Sequence, residues 1–299
     1  MIGSEEKKKV SVSIILNCYN GEKYLHEALQ SIENQNYKNW ELIFWDNRST
    51  DRSRKIFDTF SNKNFFYFRS KTYSSLYAAR NLAIQKAKGK FISFIDSDDT
   101  WCKDKLLEQM KLFQDKKVAV VYGNLWLKKE SKRKKHMNSR IPEGFIHSNL
   151  INNYYVGILT SVIRRSCLPK KKIFNEKYNI IGDYDLFLRL SKNYKFKAIQ
   201  SPVATYRLHD NNFSKLNKKL EVDEFKDWLK RNKSNLDKES YIKIKKKITI
   251  LKFIYLKHED NFFNTFKYFI TKIKIILSFK NILILFFPKR VLKKYMWFF

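Results

Sequence analysis

The sequence predicts an α/β protein, with a Rossmann-like, mostly parallel sheet flanked by helices and a helical appendage at the C-terminus. Three features predict it. From Val10 to about Tyr122 apolar runs alternate with amphipathic helical patterns, as successive βαβ units require. The residues that end those runs are polar and acidic, and open α/β sheets bind ligands beyond the carboxyl ends of their strands. Past Asn217 the chain becomes Lys-rich and helical in pattern, without the turn signals of a sheet.

Val12 to Leu16 reads as a buried strand, and Leu25, Ala28, Leu29 and Ile32 then share one face of a helix. A strand over Glu41 to Trp45 ends at Asp46, with Ser49, Thr50 and Asp51 as caps for the next helix. A third strand falls at Phe65 to Phe68. A helix over Leu76 to Ala87, closed by Gly89, leads to a strand at Phe91 to Ile95, which Asp96-Ser97-Asp98-Asp99 interrupts. A helix carrying Leu106, Leu107, Met110 and Phe113 and a strand at Val118 to Tyr122 complete the alternation. Lys128 to Lys135 reads as a solvated loop. Between Pro142 and His209 the order loosens, with a strand expected at Leu159 to Ile163, a helix at Asp183 to Ser191 and extended segments up to Tyr206.

At 299 residues, 43% hydrophobic and 16% aromatic, the chain can bury a substantial core, which argues against disorder. Sixty-one Lys and Arg against 29 Asp and Glu leave a net charge of +32, which favours a phosphate-bearing partner: nucleic acid, anionic lipid or nucleotide. Nucleic acid is disfavoured, since no helix-turn-helix, RNP or zinc pattern occurs and the strand-end acids would repel a phosphate backbone. Cys18, Cys102 and Cys167 are odd in number and widely spaced, which suggests neither a disulfide framework nor a zinc site and fits a reduced compartment. Met1 to Lys9 lacks the apolar core of a signal peptide, so the expectation is a cytoplasmic protein.

The strand ends supply the chemistry. The first strand delivers Asn17-Cys18-Tyr19-Asn20, the second Asp46-Asn47 and the fourth Asp96-Ser97-Asp98-Asp99. Three carboxylates within four residues repel one another when desolvated, and Mg²⁺ or Mn²⁺ would relieve the repulsion while bridging to a diphosphate. The alternative is a solvated turn in which Asp99 or Thr100 caps the following helix. An aromatic face at Tyr19 and an acceptor at Asp46 suit a uracil-like base, although either residue could equally serve packing or a turn.

Five ordered segments, Val12 to Gly21, Trp45 to Asp51, Ala78-Ala-Arg-Asn81, Gly89 to Asp99 and Gly182 to Arg189, resemble glycosyltransferase family 2 and its GT-A fold over about residues 10 to 215. The resemblance implies an inverting, metal-using enzyme with a nucleotide-sugar donor, a UDP-sugar by expectation, and a glycan or lipid-linked acceptor. It implies that Tyr19 stacks on the base, that Asp46 accepts a hydrogen bond from it and that Asn17 touches base or ribose. Asp96 and Asp98 match the DxD element that holds the metal and touches the sugar or ribose. Arg80 would pair with donor phosphate or sugar, or else form a buried ion pair with one of these aspartates. Asp183 matches the catalytic base, with Gly182 in place of the usual Glu; on spacing alone it could be a helix cap. Tyr206-Arg207-Leu208-His209 resembles a closing stretch in which Arg207 faces the donor and His209 donates to phosphate or ligates the metal. The departure at Gly182 keeps a second reading open, a catalytically idle nucleotide-sugar-binding or scaffold protein.

On this resemblance residues 1–215 form the catalytic domain, with 10–122 binding the nucleotide sugar and 123–215 on the acceptor side; residues 216–299, which the resemblance does not reach, read from their own pattern as a basic amphipathic helical region. Phe262 to Phe299 holds eight cations and no acid, and its longest apolar run, Ile282 to Phe287, is too short to span a bilayer. It reads as an amphipathic helix on an anionic membrane surface, peripheral on the inner face of the cytoplasmic membrane, or as a helical cap with a solvated lysine face.

Overall fold

Seven buried residues make β1 (Val12–Cys18), and seven more make β2 (Trp40–Asp46). Strands with both faces buried belong inside a parallel sheet covered by helices, and β1 pairs in parallel with β2 and with β4 (Phe91–Asp96). The computed structural model describes residues 10–259 and 262–276. The chain forms two compact units, one ending at His209 and the other beginning at Asp210.

In the first unit β3 (Phe65–Arg69) extends the parallel set beyond β2. Helices α1 (Leu25–Glu33), α2 (Ser53–Asp58) and α3 (Leu76–Lys86) connect these strands. Leu25, Ala28, Leu29 and Ile32 are the buried residues of α1, the face its periodicity predicts. The register sets Cys18 opposite Asp46 and Asn17 opposite Asp96, so three polar strand ends stand abreast.

After β4 come β5 (Thr100–Trp101), α4 (Lys105–Met110), β6 (Val118–Lys129), β7 (Lys132–Lys135), α5 (His147–Asn152), β8 (Val162–Arg164), α6 (Gly182–Ser191) and β9 (Lys195–Arg207). Among the described residues the nine strands run β3-β2-β1-β4-β8-β6-β9-β5, with β7 on β6. Pairing is parallel from β3 to β4 and between β6 and β9, but β8 runs antiparallel to both β4 and β6, and β5 to β9. The mostly parallel arrangement read from the sequence therefore holds for the first half, and the second half makes the sheet mixed.

Local expectations are corrected here. Lys128 to Lys135 is a β-hairpin rather than a solvated loop, and the Arg133 guanidinium lies 4.7 Å from the centre of the Trp126 ring across it. Asp99 and Thr100 do not cap α4; Thr100 opens β5, and Asp104 holds the N-cap position of α4. Ile158 to Thr160 form a 3-10 turn, which leaves only Val162–Arg164 as strand.

The second unit is helical: α7 (Phe213–Leu216), α8 (Lys218–Asn232), α9 (Lys238–His258), α10 (Phe262–Thr271) and α11 (Ile273–Ile276). Asp237 caps α9 by accepting from the Ser240 amide at 2.8 Å. Lys247 of α9 sits over the Phe225 ring of α8 at 4.5 Å, and Phe253 meets Phe269 of α10 at 5.9 Å. Phe262, Phe263, Phe266 and Ile270 of α10 are exposed. Among the described residues no helix is long and apolar enough to cross a membrane. The rest of the tail expectation, including Ile282 to Phe287, lies outside the described residues.

One buried amine in the core has only neutral partners. The Lys105 ammonium donates to Ser93 Oγ at 3.1 Å and Gln109 Oε1 at 2.8 Å, and lies 4.0 Å from the Trp101 ring centre. Burial holds this amine well below its usual value of 10.5. Between that lowered value and 10.5 the unfolded chain binds more protons than the folded one, so this residue makes stability rise with pH. Lys105→Met should lose this dependence: as pH rises towards 10.5 the melting temperature of the parent should gain on that of the variant. Thermal unfolding at several pH values checks this, and parallel curves would contradict it.

Candidate active site

The loops that follow β1 and β2 are laced together by side chains capping backbone amides. Ser49 Oγ accepts from the Asn20 amide at 3.1 Å, Ser53 Oγ from Gly21 at 3.0 Å and Asp51 Oδ2 from Glu22 at 2.9 Å, while Asn20 Oδ1 accepts from Thr50 at 2.8 Å. Asn20 and Arg48 hold left-handed backbone angles, φ of 52° and 74°, which mark tightly constrained turns. At Gly21 a Cβ would lie 2.8 Å from Ser97 Oγ and 2.9 Å from Cys18 Sγ. Only glycine lets the acidic loop after β4 approach this closely.

Tyr19 projects from this platform, 52% exposed, and meets the exposed Tyr73 ring edge-on at 4.8 Å. Asn17 is buried beneath, and neither its amide nitrogen nor its oxygen has a hydrogen-bond partner. An unsatisfied buried amide costs about 1–3 kcal/mol, a cost the fold bears at Asn17. Asp46 is also buried, but its carboxylate is occupied: Oδ1 accepts from the Ser49 amide at 2.7 Å and Oδ2 from Tyr67 Oη at 2.5 Å. Burial and this carboxylate push the Tyr67 hydroxyl up to about 12.

In the acidic loop each carboxylate has a separate environment. Asp96 Oδ1 accepts from the buried Arg80 guanidinium at 2.6 Å, which is the ion pair that the sequence left as an alternative. Asp98 Oδ2 lies 2.9 Å from His209 Nε2, and burial together with Asp96 raises the Asp98 carboxyl above the usual range. Asp99 is buried; Oδ1 accepts from the Arg207 amide at 2.9 Å, while Oδ2 has no partner. Burial, Asp98 and Asp96 push its carboxyl well above the usual range. The Arg207 guanidinium bonds Asp98 O at 2.9 Å and Glu27 at 2.6 Å and lies over the Tyr24 ring at 4.4 Å. Arg207 thereby ties the end of β9 to the loop.

Asp183 sits in the first turn of α6, one residue after Gly182, and Ile181 holds the N-cap position, so Asp183 is not the cap. The segment leading to α6 is sewn to α3. Asn81 donates to Phe174 O at 2.9 Å and accepts from the Phe174 amide at 2.9 Å, and Asn179 Oδ1 accepts from the Leu76 amide at 3.2 Å. This delivers Asp183 to Tyr77, whose Oη donates to Asp183 Oδ1 at 2.9 Å, while Tyr154 Oη donates to Oδ2 at 2.6 Å. Burial raises the Asp183 carboxyl against the opposing pulls of Tyr154, Arg80 and Tyr77. Asp185 pairs with Arg189 at 3.0 Å and is structural.

Residues 13–190 match the profile of glycosyl transferase family 2. The chain belongs to this family. Among its relatives is the Escherichia coli UDP-Glc:alpha-D-GlcNAc-diphosphoundecaprenol beta-1,3-glucosyltransferase WfgD, 30% identical over 210 residues that cover 68% of this chain and 79% of WfgD. The amylovoran biosynthesis glycosyltransferase AmsB of Erwinia amylovora is 28% identical over 216 residues, covering 67% of this chain and 71% of AmsB. Residues 1–349 of S. aureus TarS, crystallised in complex with UDP, superpose with a TM-score of 0.60 at 22% identity, covering 81% of this chain and 72% of that one. That likeness shows the GT-A fold.

In this glycosyltransferase the structure brings Arg80, Asp96, Asp98, Asp99, Arg207 and His209 into one connected set. Tyr77, Tyr154 and the anchoring role of Asp99 are not visible in the sequence pattern, because the tyrosines reach Asp183 from positions 106 and 29 residues away. Among the described residues no group of three His, Cys, Asp or Glu side chains converges as a complete metal cage. Asp98 and His209 nevertheless form an oxygen and nitrogen pair.

The Arg80–Asp96 pair is asymmetric, with side chains 3% and 36% exposed. Asp96→Ala should strand a buried cation and cost as much as about 3–5 kcal/mol. Arg80→Met leaves an Asp96 that water can reach and an Asp183 still held by Tyr77 and Tyr154, and should cost less. Urea denaturation of both variants tests the order.

Proposed function

We propose that this glycosyltransferase transfers a sugar from a nucleotide-diphosphate donor, a UDP-sugar, to a hydroxyl of a glycan or lipid-linked acceptor, with inversion, in cell-surface polysaccharide synthesis. The observation that carries the reading is Asp183, a carboxylate fixed by two phenols at 2.9 and 2.6 Å while its own pKa is raised by burial, as a general base requires. Asp183 takes the proton of the acceptor hydroxyl as that oxygen attacks the anomeric carbon from the face opposite the leaving group. The bond from the anomeric carbon to the diphosphate oxygen breaks, and the diphosphate leaves with the electron pair. The UDP-Glc donor and diphosphoundecaprenol acceptor in the name of the E. coli relative, and the UDP in the S. aureus structure, support the donor and acceptor classes.

We assign Tyr19 to the base as a stacking face and Asn17 to base or ribose as an unspent donor and acceptor. Asp46 belongs to the base end of the site, where its carboxylate fixes the turn to Ser49. Arg80 acts on the donor side through Asp96, and Arg207 through Asp98 and Glu27. Asp98 and His209, with Asp96 in the same loop paired to Arg80, would hold Mg²⁺ or Mn²⁺, which when bound would neutralise charge on the departing diphosphate. Residues 10–122 would bind the donor and 123–215 the acceptor. Asp183→Asn should lower kcat by roughly 10²–10⁴-fold with UDP affinity retained, and Asp98→Ala should lose the Mn²⁺-dependent part of UDP binding; transfer assays and calorimetry measure these. Full turnover by Asp183→Asn would remove the base.

The basic region 216–299 would place the enzyme on an anionic membrane surface at the inner face of the cytoplasmic membrane. The exposed Phe262, Phe263, Phe266 and Ile270 of α10, in a stretch without acids, support this. Replacing Phe262, Phe263 and Ile270 together by Glu should reduce co-sedimentation with phosphatidylglycerol vesicles; unchanged sedimentation would refute the assignment.

A further inference from the structure

Asp183 is held by phenols that arrive from separate parts of the fold. Tyr77 belongs to α3 and Tyr154 follows α5, and their hydroxyls donate to different oxygens of the same carboxylate. The Tyr184 amide adds a third donor, to Oδ1 at 2.9 Å. An ionised carboxylate offers about four lone-pair sites, so one is left for an incoming hydroxyl. Gly182 belongs to the same arrangement. A Cβ there would lie 2.5 Å from Cδ2 and 2.6 Å from Cε2 of Tyr77, and that ring is buried, packed on Phe174 at 5.0 Å and facing Arg80 at 5.1 Å. The position where the family resemblance expects a Glu is therefore filled by the Tyr77 ring.

We propose that Tyr77 and Tyr154 are positioning residues, a phenol clamp that aims the remaining lone pair of Asp183 at the acceptor hydroxyl, and that Gly182 is the gap admitting the Tyr77 ring. The inference rests on the role of Asp183 as base. The charged and titratable groups facing Asp183 are Tyr77 and Arg80 from α3 and Tyr154 from the segment after α5. Burial and the neighbouring Asp183 hold both phenols far above their usual value, so they remain donors throughout the working range. Hydrogen bonds from both favour the ionised carboxylate. The clamp thus offsets part of the cost of burying the base and fixes its direction at once.

Tyr77→Phe and Tyr154→Phe each keep the ring and delete the donor. Each should lower kcat by about 10- to 100-fold, the worth of a hydrogen bond to a charged group, with KM for UDP-sugar unchanged. Each should also move the acid limb of the kcat–pH profile to higher pH, because losing a donor to the ionised form raises the Asp183 pKa. A purely structural tyrosine would lower activity without moving that limb, and this result, like unchanged kcat, overturns the clamp. Gly182→Ala should reduce activity in the parent but add nothing to Tyr77→Ala, and additive losses would overturn the assignment of Gly182. Asp183→Asn separates the two levels. An inactive Asp183→Asn with normal tyrosine variants defeats the clamp alone, whereas an active Asp183→Asn defeats the base.

Discussion

A buried guanidinium organises this site. Arg80 reaches Asp96 at 2.6 Å from inside α3, is 3% exposed, and its charge also acts on Asp183. A lone cation in such a place would be prohibitively costly. Its presence is balanced by the acid at the end of β4 and by the carboxylate at the start of α6, which joins the parallel half of the sheet to the helix that carries Asp183. The rings of Tyr77 and Phe94, 5.1 and 5.8 Å away, complete its surroundings. One charge therefore acts on the acid at the end of β4 and on the acid at the start of α6.

The acids that follow depend on that arrangement. With Asp96 committed to Arg80, Asp98 turns to His209 and Asp99 is drawn under the Arg207 amide. Three neighbouring carboxylates can coexist because each meets a different partner, and the cost is seen in the raised Asp98 and Asp99. The same loop must lie against the turn after β1, which is why Gly21 has no room for a side chain. Backbone path and charge placement are one constraint here.

Much of this was legible from the residue pattern. The runs at Val12, Glu41 and Phe91 read as strands because both their faces are buried, and their polar ends fell where the register now places Asn17, Asp46 and Asp96. The hairpin at Lys132–Lys135 was not legible, since a charged strand that pairs on one side resembles a loop in sequence. Arg207 was read as a donor ligand from its motif, yet its guanidinium is committed to Glu27 and Asp98, partners 180 and 109 residues away that no local pattern reveals. Tyr77 escaped for the same reason. A tyrosine on a helix announces packing, and its hydroxyl acquires meaning only from Asp183.

The chain's charge of +32 does not describe its site. Around the strand ends the carboxylates of Glu27, Asp96, Asp98, Asp99 and Asp183 face the guanidiniums of Arg80 and Arg207, and both guanidiniums are already paired. A diphosphate entering this region meets acids first. On the proposed reading its charge must be matched by a cation brought from outside the chain, and the Asp98–His209 pair is where carboxylate and imidazole stand together to receive one. On the same reading, recognition of the donor rests on the small, locally acidic set at the strand ends.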